Sequence, residues 1–281
     1  MRVLLAQLMF CVFVAGCGGG SSNGESETAV DSDQPPVVSG SWYQPALFAT
    51  WQWQLSGPVN SSYEVDIYDI DLFDSSESLI QQLQLSSTKV ICYFSAGSYE
   101  AWRSDASSFS EAELGNTLDG WADERWLDIR SENVRAIMKR RLDLAVEKGC
   151  DGVEADNVDG YSNNSGFNLS ASDQLDFNRM LANEAHTRGL SVGLKNDLDQ
   201  VDELVDYFDF AINEQCFEYS ECDVLSAFVE RGKAVLNAEY RQEYIDDEIV
   251  RNTLCNESLN LQFSTLILPL DLDDEFRFGC L

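Results

Sequence analysis

Short apolar runs recur along the chain from about residue 48 onward, and polar or turn-forming residues separate them. Runs of this length that are rich in β-branched and aromatic residues predict buried strands. Helical patterns lie between most of them, and strands that alternate with helices are typical of a parallel sheet. Eight such units fit most simply into a closed barrel, so the pattern predicts an α/β fold, a single (β/α)8 TIM barrel. The predicted strands span residues 48–55, 65–73, 89–96, 152–158, 190–196, 208–214, 234–240 and 261–270.

Three of the helices between these strands have clear ends in the sequence. A serine can cap a helix through its hydroxyl oxygen, and a glycine can end one in a left-handed conformation. The polar segment between the first two strands, by contrast, shows no helical pattern. The predicted helices begin after Ser131 and end at Gly149, begin after Ser170 and end at Gly189, and follow an apolar stripe over 224–229 that ends at Gly232.

The connection over residues 97–130 is long and carries Trp102, Trp121 and Trp126. A connection of this length at the catalytic end of a barrel is often functional. The sequence leaves two interpretations open. The tryptophans form one wall of a substrate groove, or they pack the connection onto the barrel.

The N-terminus has the pattern of a bacterial export signal. Arg2 precedes an apolar stretch that is too short to span a bilayer, and Val14-Ala-Gly-Cys17 resembles a lipobox, which predicts lipid attachment at Cys17. An ordinary cleaved secretion signal is the alternative. The predicted location is the bacterial cell envelope, and the outer membrane is favoured because Gly18 gives no inner-membrane retention signal. The predicted parts are a signal over 1–16, a lipidated and disordered linker over 17–40, and a barrel domain over 41–281.

Six cysteines follow the predicted lipidation site. An even number in an exported chain favours disulfides. No C-x-x-C motif occurs and the chain has one histidine, so we expect no metal site and no cofactor. The expected bridges are Cys216 with Cys222 and Cys255 with Cys280, whereas Cys92 and Cys150, on neighbouring strands, either pair or stay as buried thiols.

The chain is strongly acidic, with 49 acidic and 18 basic residues and a formal net charge of −31. Nucleic acid is therefore excluded as a partner, because it carries the same sign of charge. A cationic substrate would be attracted, although an acidic surface also keeps proteins soluble in salty environments. We expect the protein to act as a monomer.

Two predicted strands end in acidic and amide residues, in the segments Gly152-Val-Glu-Ala-Asp-Asn157 and Ala211-Ile-Asn-Glu-Gln-Cys216. Because side chains alternate along a strand, Glu154 and Asp156 share one face of the first segment. Glu214 is the first acid at the end of the second, where nearby aromatic residues would partly desolvate it. Two carboxyl groups facing each other at this end of a barrel are what glycosidic bond hydrolysis requires. Asp156 and Glu214 are therefore the predicted catalytic residues.

Other polar residues near strand ends are candidates for substrate binding. Lys195 lies on the strand between those of Asp156 and Glu214 and could bind a substrate hydroxyl. It could instead form a structural ion pair with Glu154 or Glu214. The binding candidates are Asp69, Tyr93, Asn157, Lys195, Asn196, Asp197 and Tyr240.

Several other chemistries are excluded. A Ser-His-Asp or Cys-His site would require His186, the single histidine, which lies within a predicted helix and is expected to be solvated. The G-x-S-x-G elbow, the phosphate-binding G-x-x-x-x-G-K and the dinucleotide-binding G-x-G-x-x-G do not occur.

Seven segments along the chain form a recognisable set: Trp51-Gln-Trp-Gln-Leu55, Tyr68-Asp-Ile-Asp-Leu-Phe-Asp74, Val90-Ile-Cys-Tyr-Phe-Ser-Ala-Gly-Ser98, Trp126-Leu-Asp-Ile-Arg130, Gly149-Cys-Asp-Gly-Val-Glu-Ala-Asp-Asn157, Gly193-Leu-Lys-Asn-Asp197 and Asn213-Glu-Gln-Cys216. These segments resemble glycoside hydrolase family 114, typified by endo-α-1,4-polygalactosaminidase, and their order along the chain makes the resemblance specific. One departure is Ala155, where the family commonly has proline.

The resemblance implies a (β/α)8 barrel that cleaves α-1,4 bonds within a galactosamine-containing exopolysaccharide with retention of configuration. At the matching positions Asp156 would be the nucleophile and Glu214 the acid/base. The implied partner is a cationic amino-sugar polymer, for which an acidic groove would be suited. Two alternatives stay open: a surface polysaccharide-binding barrel that has lost catalysis, and an inverting hydrolase.

Overall fold

The structure, a computed structural model, describes residues 34–281. The predicted signal, Cys17 and most of the predicted linker lie outside the described residues. Twelve strands occur in the described part. They are β1 (Trp51–Gln54), β2 (Ile67–Asp71), β3 (Lys89–Ser95), β4 (Ser98–Glu100), β5 (Leu114–Leu118), β6 (Trp121–Leu127), β7 (Gly152–Asp156), β8 (Ser191–Lys195), β9 (Phe210–Glu214), β10 (Val235–Glu239), β11 (Ser264–Ile267) and β12 (Phe278–Gly279).

Eight α-helices and four short 3₁₀ turns connect these strands within residues 34–281. As expected, no helix lies between β1 and β2. The helices are α1 (Glu77–Gln84), α2 (Glu132–Lys148), α3 (Ala171–Thr187), α4 (Val201–Leu204), α5 (Cys216–Tyr219), α6 (Ser226–Glu230), α7 (Gln242–Asp246) and α8 (Glu248–Asn260).

One sheet contains all eight predicted strands and has the order β1-β2-β3-β7-β8-β9-β10-β11-β12. Its pairs are parallel except that β12 runs antiparallel to β11. The first and last parallel strands approach each other where Trp51 Nε1 donates to the carbonyl oxygen of Ser264 at 2.8 Å. The TIM-barrel-like α/β fold predicted from the sequence is thereby confirmed.

The helix ends follow the sequence signals at α2 and α3. Ser131 Oγ accepts from the backbone N–H of Val134, and Gly149 ends α2 with a φ of 84°. Ser170 and Asp173 form the capping box of α3. The third predicted helix is divided into a 3₁₀ turn over Cys222–Leu225 and the short α6.

Alternation along the strands determines which side chains face the barrel interior. Trp51, Ile91 and Phe210 pack together inside it, whereas neighbours of opposite phase such as Val90 pack against the helices. A Cβ on Gly193 would lie 2.6 Å from the ring of Phe210, so a glycine is required beside that ring. Residues two positions further along these strands face the interior in turn, which brings the strand-end acids of β7 and β9 together.

The connection over residues 97–130 forms a second sheet, antiparallel with the order β4-β6-β5, that the sequence did not predict. Arg103 fixes it to the end of β2, because its guanidinium donates to both carboxylate oxygens of Asp71 at 3.0 and 2.6 Å. Arg141 of α2 also contacts this connection, because its Nε donates to Asp105 Oδ2 at 2.8 Å. We call this unit the accessory sheet.

All six cysteines of the described residues form disulfides. The two expected bridges are confirmed, and the open question about Cys92 and Cys150 is resolved in favour of pairing. Three disulfides are typical of proteins that fold in an oxidising, extracytoplasmic compartment. The bridges are Cys92–Cys150, Cys216–Cys222 and Cys255–Cys280.

The amino end of the barrel corrects one expectation. His186 is buried and not solvated, because Trp42 stacks on its ring with centroids 4.1 Å apart. Its Nε2 lies 2.9 Å from Asp209 Oδ2, and Trp42 Nε1 donates to the other Asp209 oxygen at 2.8 Å. Within residues 34–281, none of the helices combines the length and hydrophobicity needed to cross a bilayer.

Candidate active site

A cavity of about 890 Å³ opens at the carboxyl ends of the barrel strands. Both predicted catalytic acids, Asp156 on β7 and Glu214 on β9, line it together with Lys195 of β8. Ligand sites commonly have volumes of ~300–1,000 Å³, and those of TIM barrels lie at this end. The accessory sheet forms one wall of the cavity.

Lys195 connects the acids of the site. Its Nζ lies 3.1 Å from Asp156 Oδ1, 3.1 Å from Glu214 Oε2 and 3.2 Å from Glu154 Oε1. The ion pairs that the sequence offered as alternatives are therefore present simultaneously. The surrounding carboxylates raise the pKa of Lys195 well above its usual range, although burial opposes this, so the side chain stays an ammonium.

Both catalytic candidates are oriented by neutral donors. Tyr93 OH donates to Asp156 Oδ2 at 3.1 Å, and the backbone N–H of Asn157 donates to Asp156 Oδ1 at 2.7 Å. Tyr240 OH donates to Glu214 Oε1 at 2.5 Å. These contacts hold both carboxyl groups toward the cavity without covering them.

Backbone geometry turns the chain sharply where the strands end. Asn157, Asn196 and Gln215 follow the ends of β7, β8 and β9 with φ between 49° and 64°. Asparagine tolerates this left-handed region better than most residues. Asn196 also accepts the backbone N–H of Glu214 through Oδ1 at 3.0 Å, so it helps to position that acid.

Three binding candidates do not line the cavity, and one of them, Tyr240, contacts it only through Glu214. Asp69 is fully buried one layer below the site, beside Glu154, and Asp71 two residues further on lines the cavity instead. Asp197 is turned into the protein, where its Oδ2 accepts from Asn178 Nδ2 at 2.8 Å. Burial raises the pKa of Asp197 to about 8.

The buried acids below Lys195 form a proton-sharing pair. Burial and the neighbouring Glu154 raise the pKa of Asp69 well above its usual range. Burial raises the pKa of Glu154 to about 7, against the opposing charge of Lys195. Ionising both of two adjacent buried carboxyl groups is energetically unfavourable, so the pair retains a proton near neutral pH.

The accessory sheet contributes residues that the sequence did not identify as site residues, notably Glu124. All three tryptophans of this connection line the cavity. Trp126 is also buried against Gly160 and packs the connection down, whereas Trp102 and Trp121 stay half exposed. Nine acidic and two basic side chains line the cavity in total, which gives it a strongly negative character. Within residues 34–281, no group of three or more His, Cys, Asp or Glu is arranged to hold a metal ion.

Comparison with known proteins places this site in a family. The model of glycoside hydrolase family GH114 matches residues 32–280. Ega3 of Aspergillus fumigatus, solved in complex with galactosamine, is 42% identical, and the match covers 86% of this chain and 99% of that chain with a TM-score of 0.81. The glycoside hydrolase domain of PelA from Pseudomonas aeruginosa is 14% identical over 82% of this chain and 96% of that chain, with a TM-score of 0.63, which indicates a shared fold. A search of curated proteins found no match. A family match over most of its length shows that this chain belongs to GH114 and is a glycoside hydrolase.

Proposed function

We propose that the protein is an endo-acting hydrolase that cleaves α-1,4 linkages in a galactosamine-containing exopolysaccharide with retention of configuration. The observation that carries this proposal is the contact of Lys195 with both strand-end acids. Asp156 Oδ1 and Glu214 Oε2 each lie 3.1 Å from Lys195 Nζ, so the two oxygens are separated by at most twice that distance. Retaining enzymes hold their carboxyl groups ~5–5.5 Å apart and inverting enzymes ~6.5–9.5 Å apart. The upper limit set by Lys195 lies below the range of inverting enzymes, which favours retention.

In the first step, Asp156 is the nucleophile. It accepts hydrogen bonds from Tyr93 and Asn157, which aim the carboxylate at the anomeric carbon of the sugar. The carboxylate forms a bond to that carbon while the glycosidic bond breaks, and Glu214 gives its proton to the leaving oxygen. The product is a glycosyl ester on Asp156 and a carboxylate on Glu214.

In the second step, Glu214 acts as a base. It takes a proton from water as the water oxygen attacks the anomeric carbon and releases Asp156. Ester formation has by then removed the negative charge of Asp156. The ammonium of Lys195 consequently stabilises the carboxylate that Glu214 has become, which is the form this step requires.

The substrate assignment is supported by charge and by the relative. Ega3, at 42% identity, was solved in complex with galactosamine. A galactosamine polymer with free amino groups is cationic, and the cavity here carries nine acidic and two basic side chains. Opposite charges concentrate a polymer at the cavity and accelerate its capture.

The decisive experiment incubates the purified protein with an α-1,4-linked galactosamine polymer. Reducing ends should appear together with a rapid fall in polymer length, as internal cleavage requires. Proton NMR of the first products should show the α anomer, as retention requires. Binding of the polymer without release of reducing ends would favour the polysaccharide-binding alternative, and β-anomeric first products would reject retention.

The lipid anchor and the monomeric state remain predictions. Replacing Cys17 by serine should release the protein from the membrane fraction of cells into the soluble exported fraction. Retention of Cys17→Ser with the membranes would reject lipid attachment at this residue.

A further inference from the structure

Glu124 is a buried carboxyl group in the wall of the cavity. It lies on β6 of the accessory sheet, is 8% exposed, and lines the same cavity as Asp156. Its Oε2 accepts a hydrogen bond from Ser98 Oγ at 2.6 Å. The reaction described above assigns no role to this side chain.

Within residues 34–281, Glu124 differs from Asp71 and Glu100, the other buried acids of this wall, in forming no ion pair. Arg103 pairs with Asp71 and with Glu100, each at 2.6 Å. None of the ion pairs formed among residues 34–281 includes Glu124, although Arg103 is near enough to lower its pKa. Burial dominates and raises the pKa of Glu124 to about 7. A buried carboxylate is unfavourable unless it is paired, so Glu124 is suited to pair with a cationic group that enters the cavity.

The position of Glu124 is close to the reacting bond. Ser98 Oγ, which donates to Glu124, lies 3.4 Å from Asn157 Nδ2, and Asn157 directly follows the nucleophile. The negative charge of Asp156 also contributes to the raised pKa of Glu124, which requires the two groups to be near each other. A sugar bound over Asp156, or its neighbour in the chain, therefore lies beside Glu124.

The same strand offers a surface for the body of that sugar. Trp121, three residues before Glu124, is 50% exposed and lines the cavity. A tryptophan face suits the apolar face of a pyranose ring, while a carboxylate in the same cavity suits a polar substituent of the ring.

We propose that Glu124 is a specificity-determining residue that binds the protonated free amino group of a sugar next to the cleaved linkage. This inference rests on the proposed function. An ammonium forms a charge-assisted hydrogen bond with the carboxylate and neutralises it in a site of low dielectric. An acetamido group is neutral and larger, so it leaves the buried charge unpaired. Glu124 thus selects deacetylated over acetylated units.

The test uses two α-1,4-linked oligomers of equal length, one of galactosamine and one of N-acetylgalactosamine. For Glu124→Gln, which keeps the size of the side chain and the contact with Ser98, we expect the ratio of kcat/KM between the two oligomers to fall at least about tenfold. Glu124→Asp retains the charge and should retain most of the preference. Glu147→Gln removes the same charge from an exposed position on α2 and should leave the ratio unchanged.

The outcomes separate the two proposals. If wild type cleaves the oligomers and Glu124→Gln keeps the wild-type ratio, Glu124 does not select the amino group, and the proposed function stands. If Glu124→Asp loses the preference as fully as Glu124→Gln, the charge is not the selecting feature. If wild type cleaves neither oligomer, the proposed function is rejected and this inference with it.

Discussion

Strand β9 has an acid at each end, and the two acids have opposite surroundings. Asp209, just before the strand, is 6% exposed, and its two oxygens accept from Trp42 and from the backbone N–H of Val192 while His186 lies 2.9 Å away. Glu214, at the far end, has a side chain that is 26% exposed and opens into the cavity. A carboxyl group that is fully enclosed by protein partners contributes to stability. One that keeps a face open to a cavity is available for chemistry.

Removing the open acids should affect catalysis far more than stability. Asp156→Asn and Glu214→Gln are each expected to lower kcat about a thousandfold, or about 4 kcal/mol in barrier height, because the nucleophile or the proton donor is lost. The melting temperature should stay within ~4 °C of wild type, since Lys195 keeps two acidic partners in either variant. Reducing-end assays and calorimetry measure the two quantities. Near-normal rates in either variant would reject the assignment.

Removing the enclosed acid should have the reverse effect. Asp209→Ala leaves Trp42 Nε1 and the Val192 N–H without their acceptor, so we expect the free energy of unfolding to fall by about 3 kcal/mol. The kcat per folded molecule should match wild type. Trp42→Phe removes one donor only and should cost about 1 kcal/mol. A loss of kcat in Asp209→Ala under conditions where it is folded would show that the two ends are coupled.

The sequence predicted the open end well because alternation in a short strand is a strong constraint. Once Gly152–Asp156 and Phe210–Glu214 are strands, their last acids must face the barrel interior. Alternation does not show, however, how far along a strand an inward-facing side chain must lie to reach the cavity. Asp69 and Asp71 share a face of β2, and the sequence alone could not tell that Asp71 reaches the cavity while Asp69 stays below it.

The parts that sequence analysis missed depend on contacts between distant segments. His186 has the position of an exposed helical residue until Trp42, from the segment before the barrel, covers it. In the accessory sheet the pairing of β5 with β6 is interrupted by register shifts, so no regular alternation marks it. Glu124 could not be recognised as a site residue without that sheet. The three tryptophans were the one available signal, and all three line the cavity.

Glu154 lies below the open acids, and we expect it to make the free energy of unfolding depend on pH. Its pKa is raised from 4.5 to about 7 in the folded protein, mainly by burial, so the folded state holds a proton that the unfolded chain releases. Its contribution to stability is therefore present below pH 4.5 and is lost as the pH rises toward 7. Glu154→Gln should remove this loss, which has an upper limit of about 1.4 kcal/mol per pH unit.

Urea unfolding of wild type and Glu154→Gln between pH 4.5 and 7 measures the effect. Glu147→Gln, at an exposed position of α2, should show the wild-type pH dependence. Parallel pH profiles for wild type and Glu154→Gln would mean that the buried pair does not retain its proton.

Salt should produce the smallest effect and bears on the acidity of the open end as a whole. Charges that attract a cationic polymer from a distance are screened once the Debye length falls to ~10 Å, near 0.1 M salt. We expect kcat/KM on a galactosamine polymer to fall by a factor of a few across this range, while kcat changes little because the bound sugar excludes much of the solvent. The N-acetylated polymer is neutral and serves as the control. If both polymers respond alike, the nine acids of the cavity do not act by long-range attraction, and their excess is then explained by solubility, as on the rest of this surface.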